Sequence, residues 1–154
     1  MAGLVDTNIL VYRFDKRFAV KQAIATEMLR AGVAERSWVL PHQAVVEFVA
    51  VVTRSNRDKP ALFTKDDALR QVEYLFGEFP VIYPTENTIR TALRGAALYK
   101  VSWHDAHLWA YADERGLETI GSEDFTDGCW YGRVQVRNPF RAAMHEPLAP
   151  AYRD

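Results

Sequence analysis

Ala2-Gly3-Leu4-Val5-Asp6-Thr7-Asn8, near the beginning of the sequence, is a short apolar run that stops on three polar residues. A run of this length bounded by turn formers reads as a buried strand, residues 2–5. Residues 9–14 read as the start of a short helix. Thr7 or Asn8 is its candidate cap, because a side-chain oxygen there accepts from an otherwise unbonded N–H of the first turn. Asp6 falls where the strand gives way.

Outward from this stretch, residues 20–31 read as a helix stopped by Gly32, and 37–40 as a strand ended by Pro41. Residues 42–53 read as a helix of unusual composition. Ala44, Val45, Val46, Phe48, Val49, Ala50, Val51 and Val52 cover nearly every face, the pattern of a buried helix. Residues 55–60 form a polar loop, and Leu69, Val72, Leu75 and Phe76 give 66–76 amphipathic helical spacing. Residues 81–83 read as a strand, 85–98 as a helix, and 102–115 as a helix closed by Gly116. Residues 118–121 and 134–136 read as strands. Strands alternating with helices predict an α/β sandwich with a mostly parallel sheet, whose ligands bind beyond the carboxyl ends of the strands. The expected organisation is one domain over residues 1–140 and a tail over 141–154, where Pro147 and Pro150 fall.

With 154 residues, 49% of them hydrophobic and 25% charged, the chain has material for a full core and needs no disulfide or metal staple to fold. The single Cys129 cannot form an internal disulfide, which fits a reducing compartment. No segment is apolar for long enough to cross a membrane. Residues 1–12 carry no basic region and include Asp6, unlike a signal peptide, so the expected location is the cytoplasm. A net charge of −1 excludes attraction of nucleic acid by the overall field. Affinity for it has to come from a local basic patch or from bound metal.

Four carboxylates stand in unusual places. Asp6 lies at the end of the first strand, at the ligand-binding edge or simply capping the next helix. Glu47 is the only charged residue in the apolar helix 42–53 and needs a partner, a proton or a cation if buried. Asp105 shares a face with Leu108, Trp109 and Ala112, while Ser102-Trp103-His104-Asp105 also resembles a capping box. Asp124 follows the strand 118–121, in a turn with Ser122, Glu123 and Asp127 that is otherwise an ordinary solvated acidic turn. An α/β fold can gather all four at one edge, where their mutual repulsion calls for a hard divalent cation with oxygen ligands.

Val5-Asp6-Thr7-Asn8-Ile9-Leu10, Glu47 in its apolar helix, Ser102-Trp103-His104-Asp105-Ala106 and Gly121-Ser122-Glu123-Asp124-Phe125 together resemble the PIN-domain family. Asp127-Gly128, Gly132 and Val136-Arg137-Asn138-Pro139-Phe140 are similar to its VapC-type toxin branch. The resemblance runs over residues 2–140. It implies a PIN-like three-layer sandwich and an endoribonuclease using Mg²⁺ or Mn²⁺. It also implies a homodimer and inhibition by a cognate antitoxin that inserts a segment near the pocket. On this basis Asp6, Glu47, Asp105 and Asp124 are the expected catalytic metal ligands, with Thr7, Asn8 and Ser122 as supports and Asp127 as a substitute or helper for Asp124. The resemblance assigns no role to His104 or His107, and Glu123 is expected to be solvated.

Arg13, Lys16, Arg17, Arg54, Arg57, Lys59, Arg133 and Arg137 are candidate phosphate contacts, most of them expected to be ordinary solvated charge. Trp103, Trp130 and Tyr131 could stack on bases but are more often core or interface aromatics. A phosphatase with an aspartyl nucleophile would want an acid where Asn8 stands. The alternatives that keep the fold are a PIN nuclease in RNA processing and a non-catalytic RNA- or protein-binding module.

Overall fold

The computed structural model describes residues 2–141. Its elements are β1 (Gly3–Val5), α1 (Thr7–Tyr12), α2 (Ala19–Glu35), β2 (Trp38–Pro41), α3 (His42–Thr53), α4 (Lys65–Glu78), β3 (Val81–Ile82), α5 (Glu86–Tyr99), α6 (Trp103–Glu114), β4 (Thr119–Gly121), β5 (Trp130–Tyr131) and β6 (Val134–Arg137). The sheet runs β3-β2-β1-β4-β6-β5. All pairs are parallel except β5 with β6. This is the mostly parallel α/β sheet the sequence predicted, with β5 an unforeseen addition. Two residues are too short for alternation to register.

The order of strands places the ligand edge. The chain winds from β1 outward through β2 to β3, then returns to lay β4 on the other side of β1. At such a switch point the connections leave in opposite directions and a crevice opens at the strand ends. Val5 pairs with Gly121, so the residues next after them, Asp6 and Ser122, emerge side by side.

Alternation along β1 builds the two faces. Leu4 packs with Ile120, Val136, Ala92, Leu108 and Trp109, beneath α5 and α6. Val5 packs with Ile9, Leu29, Leu40, Phe48 and Leu75, beneath α1 to α4. Each fully buried side chain of this kind contributes about 1.5–3 kcal/mol. The layers are therefore helices, sheet, helices.

Three expectations need correction. Gly32 does not stop α2, which continues to Glu35 and ends at Arg36 in a left-handed conformation (φ 53°). The glycine serves packing instead, since a Cβ there would collide with the Trp38 indole. Helix α3 is not buried all round, because Val46 is 53% exposed. It lines an apolar surface groove with Val45, Val49, Phe76, Val81 and Tyr83. On α4, Val72 and Leu75 are buried but Leu69 and Phe76 are exposed. The expected tail lies outside the described residues except for Arg141, which pairs with Asp127 at 3.0 Å. Among the described residues, no helix is long and apolar enough to cross a membrane.

Candidate metal centre

Asp6 caps α1 itself, displacing Thr7 and Asn8 from the role expected of them. Its main-chain N–H donates to the Gly121 carbonyl at 2.9 Å, which locks the end of β1 to the end of β4. One carboxylate oxygen accepts the Thr7 N–H at 2.7 Å. The other accepts the Ser122 hydroxyl at 2.6 Å and the Asn8 amide at 3.4 Å. Only 2% of Asp6 is exposed. Burial is the main reason its pKa rises from 3.8 to about 7. The Ser122 hydrogen bond opposes that rise, and the charge of Asp124 adds to it.

Glu47 reaches the same place from α3. The Thr7 hydroxyl donates to its Oε2 at 2.8 Å. Its Oε1 lies 3.0 Å from Nδ1 of His104 and 3.4 Å from the amide of Gln43, one turn earlier on α3. Asp124 enters through Asn8, whose amide donates to it at 3.3 Å. Its own main-chain N–H donates to the Ser122 hydroxyl at 3.1 Å. Ser122 is fully buried and links the two acids, donating to Asp6 and accepting from Asp124. The Asn8 amide nitrogen faces Asp6, Ser122 and Asp124, and its oxygen is left buried without a hydrogen-bond partner. Such an orphan costs about 1–3 kcal/mol. The amide is oriented by the acids it serves, at the expense of its own acceptor.

The remaining expected residues are placed differently. Asp105 is buried in the first turn of α6, its N–H donating to Ser102 Oγ at 3.0 Å. The Ser102 cap expected from the sequence therefore forms. Asp105 lies outside the group of Asp6, Glu47 and His104, whose ligand atoms all fall within 4.8 Å of one another. Asp127 accepts the Asn138 N–H at 2.8 Å and pairs with Arg141, so it fastens the segment after β6. The Asn138 N–H, ahead of Arg141, holds its pKa below the ordinary value.

Sequence reasoning missed a second network. Glu123, expected to be solvated, has a side chain only 14% exposed. It accepts the Tyr12 hydroxyl at 2.8 Å and the Lys21 ammonium at 3.0 Å. Lys21 is itself buried and lies 4.8 Å from the Tyr12 ring centre. The clue in the sequence is a lysine spaced i, i+4, i+8 with Ala25 and Leu29 on the buried side of α2. His107, half-buried, bonds the Gln43 side-chain oxygen at 2.7 Å and stacks on Trp103.

The sequence profile of the PIN domain matches residues 3–126. The chain belongs to the PIN domain family. PIN domains are typically metal-dependent nucleases. Solved structures share the fold of this PIN domain at low identity. A toxin–antitoxin complex from Klebsiella pneumoniae is 18% identical with a TM-score of 0.63, covering 90% of this chain and 98% of that one. FitAB bound to an IR36 DNA fragment is 17% identical with a TM-score of 0.64, covering 90% and 96%. FitAcB from Neisseria gonorrhoeae is 18% identical with a TM-score of 0.59, covering 90% and 99%. No curated protein matches the chain.

Proposed function

We propose that this PIN domain is a Mg²⁺- or Mn²⁺-dependent endoribonuclease and the toxin of a toxin–antitoxin pair. The observation that carries the nuclease reading is the meeting of Asp6, Glu47 and Asp124 in one hydrogen-bonded network at the switch point of the sheet. Asp105 enters the acidic set on the family resemblance and as the chain neighbour of His104, whose ring reaches Glu47.

The donor set fits a divalent cation. Ligand atoms of Asp6, Glu47 and His104 lie within 4.8 Å of one another. Two ligands sharing an ion at about 2.1 Å can be separated by no more than about 4.2 Å, so sub-ångström adjustments suffice. A carboxylate pushed to about 7 by burial is also one whose negative charge the fold alone under-compensates. A cation bound there supplies charge stabilisation for the scissile phosphate and a lowered pKa for attacking water. The chain's own residues do the positioning. Thr7 N–H and Ser122 fix both oxygens of Asp6, the Thr7 hydroxyl and Gln43 fix Glu47, and Asn8 fixes Asp124.

Phosphates of RNA have basic side chains to meet. Lys59 is drawn below its ordinary pKa by burial and then by the nearby charges of Arg17 and Arg54. Those three form a positive cluster at the far ends of α1 and α3, although Arg17 also pairs with the buried Asp15 at 2.7 Å. Trp103, half-exposed beside His104, offers a stacking face.

The toxin role rests on the residue-level resemblance and on the likeness to a protein described as a toxin–antitoxin complex. A cognate antitoxin and a cytoplasmic location follow from it. Homodimerisation is the natural use of the exposed Leu69, Tyr74 and Phe76 of α4 and Ile89, Leu93 and Leu98 of α5. The nuclease reading is tested by RNA cleavage with purified protein. Excess chelator abolishes cleavage, Mg²⁺ or Mn²⁺ restores it, and Glu47→Gln does not cleave. Cleavage in chelator, or equal cleavage by Glu47→Gln, overturns the proposal.

A further inference from the structure

The acidic pocket contains one group that carboxylate chemistry does not require. His104 projects from the first turn of α6, and its Nδ1 lies 3.0 Å from the Glu47 carboxylate. The ring nitrogen, an Asp6 oxygen and a Glu47 oxygen form a set no wider than 4.8 Å. The ring is also held in place. The Gln43 amide nitrogen lies 3.3 Å from each ring nitrogen, and the Gln43 oxygen is anchored at 2.7 Å to Nδ1 of His107. The Gln43 amide donates, so the ring nitrogen it meets accepts, offering the lone pair that an ion would take in its place.

We infer that His104 is a nitrogen ligand of the metal centre and biases it towards Mn²⁺ or Co²⁺ over Mg²⁺. The inference rests on the metal site proposed above and adds a residue and a selectivity to it. Imidazole suits first-row transition ions, whereas Mg²⁺ demands oxygen donors and keeps its waters. An all-carboxylate pocket distinguishes these ions weakly. A pocket with one imidazole within reach of the same ion favours the transition metal. The contrary reading is that His104 only pairs with Glu47. In that case its removal changes the affinity for every divalent ion alike, because charge and not donor type is what changes.

The test is calorimetric titration of Mn²⁺ and of Mg²⁺ into the purified full-length protein and into His104→Ala, His107→Ala and Asp6→Asn. It is joined by pulsed electron paramagnetic resonance of the Mn²⁺-loaded wild type. Wild type is expected to bind Mn²⁺ more tightly than Mg²⁺ and to show ¹⁴N coupling to the ion. His104→Ala should lose about tenfold or more of its Mn²⁺ affinity, keep its Mg²⁺ affinity and lose the coupling. His107→Ala, which frees Gln43, should weaken Mn²⁺ binding by less than His104→Ala does and should keep the coupling. Absence of ¹⁴N coupling in the wild type, or equal weakening of both ions by His104→Ala, overturns the inference and leaves the carboxylate site standing. No binding of either ion to the wild type, or wild-type binding by Asp6→Asn, removes the carboxylate site and this inference with it. The spectrum of the wild type decides the matter even if His104→Ala fails to fold, and the side chain is 41% exposed.

Discussion

Replacing Asp6 by Asn should stabilise this protein in the absence of metal, and only above acidic pH. Its pKa stands at about 7 in the folded chain against 3.8 as the reference value. A carboxyl group with a raised pKa binds its proton more tightly when folded. The stability that proton gives is complete below about pH 4 and is lost as pH rises through about 7. At about 1.4 kcal/mol per pH unit, the wild type forfeits about 4 kcal/mol across that interval. Asn escapes the loss, but not all of it is recovered. The Ser122 hydroxyl already accepts from Asp124, and an amide nitrogen in place of Asp6 Oδ2 would compete for that lone-pair capacity. Asn caps a helix about as well as Asp, so the cap itself costs little. A net gain of about 1–3 kcal/mol at pH 8 remains, or roughly 2–10 °C in melting temperature for a chain of this size. The assay is thermal unfolding followed by circular dichroism in chelator at pH 4.5 and pH 8, then with Mn²⁺ added. Asp6→Asn should melt higher than wild type at pH 8 and show no such advantage at pH 4.5. Mn²⁺ should raise the wild type and leave the variant where it was. A variant less stable than wild type at pH 8, or a difference independent of pH, would refute the reasoning.

Lys21→Met should destabilise the fold by about 2–4 kcal/mol, because it leaves Glu123 semi-buried without its cation. Lys21→Met combined with Glu123→Gln should recover most of that loss in denaturant titration, and additive losses would show that the pair is not coupled. Gly121→Ala should cost about 1 kcal/mol or less, since the added Cβ would stand 2.7 Å from Met28 Cε and 3.2 Å from Ile9 Cδ1, side-chain tips that can swing aside. A larger loss of thermal stability would show that those tips are held in place. Asp105→Asn should keep the wild-type circular dichroism spectrum and melting temperature while cutting metal-dependent RNA cleavage about 10–100-fold or more. Wild-type cleavage by that variant would remove Asp105 from the site.

The sequence by itself determined most of the elements and singled out the candidate acids. Period-two and period-3.6 patterns carry that information locally, so β1, α3 and α6 fall within a residue of their expected ends. Asp6 and Asp124 could be placed past strand ends because strand ends are visible as the limits of apolar runs. The neighbourhood of each side chain was invisible, because it depends on contacts far apart in the chain. Glu123 looked solvated until α2 brought Lys21 over it, a contact spanning 102 positions. Asp124 and Asp127 looked interchangeable until one met Asn8 and the other met Asn138 and Arg141. Gly32 looked like a stop signal because its spacing could not reveal the Trp38 ring lying against it. His104 looked idle because Glu47, 57 positions earlier, joins it only when α3 and α6 pack at the same edge. Local pattern selects what each segment becomes. Which charges share a low-dielectric pocket is settled by packing between segments, and that is where their chemistry is decided.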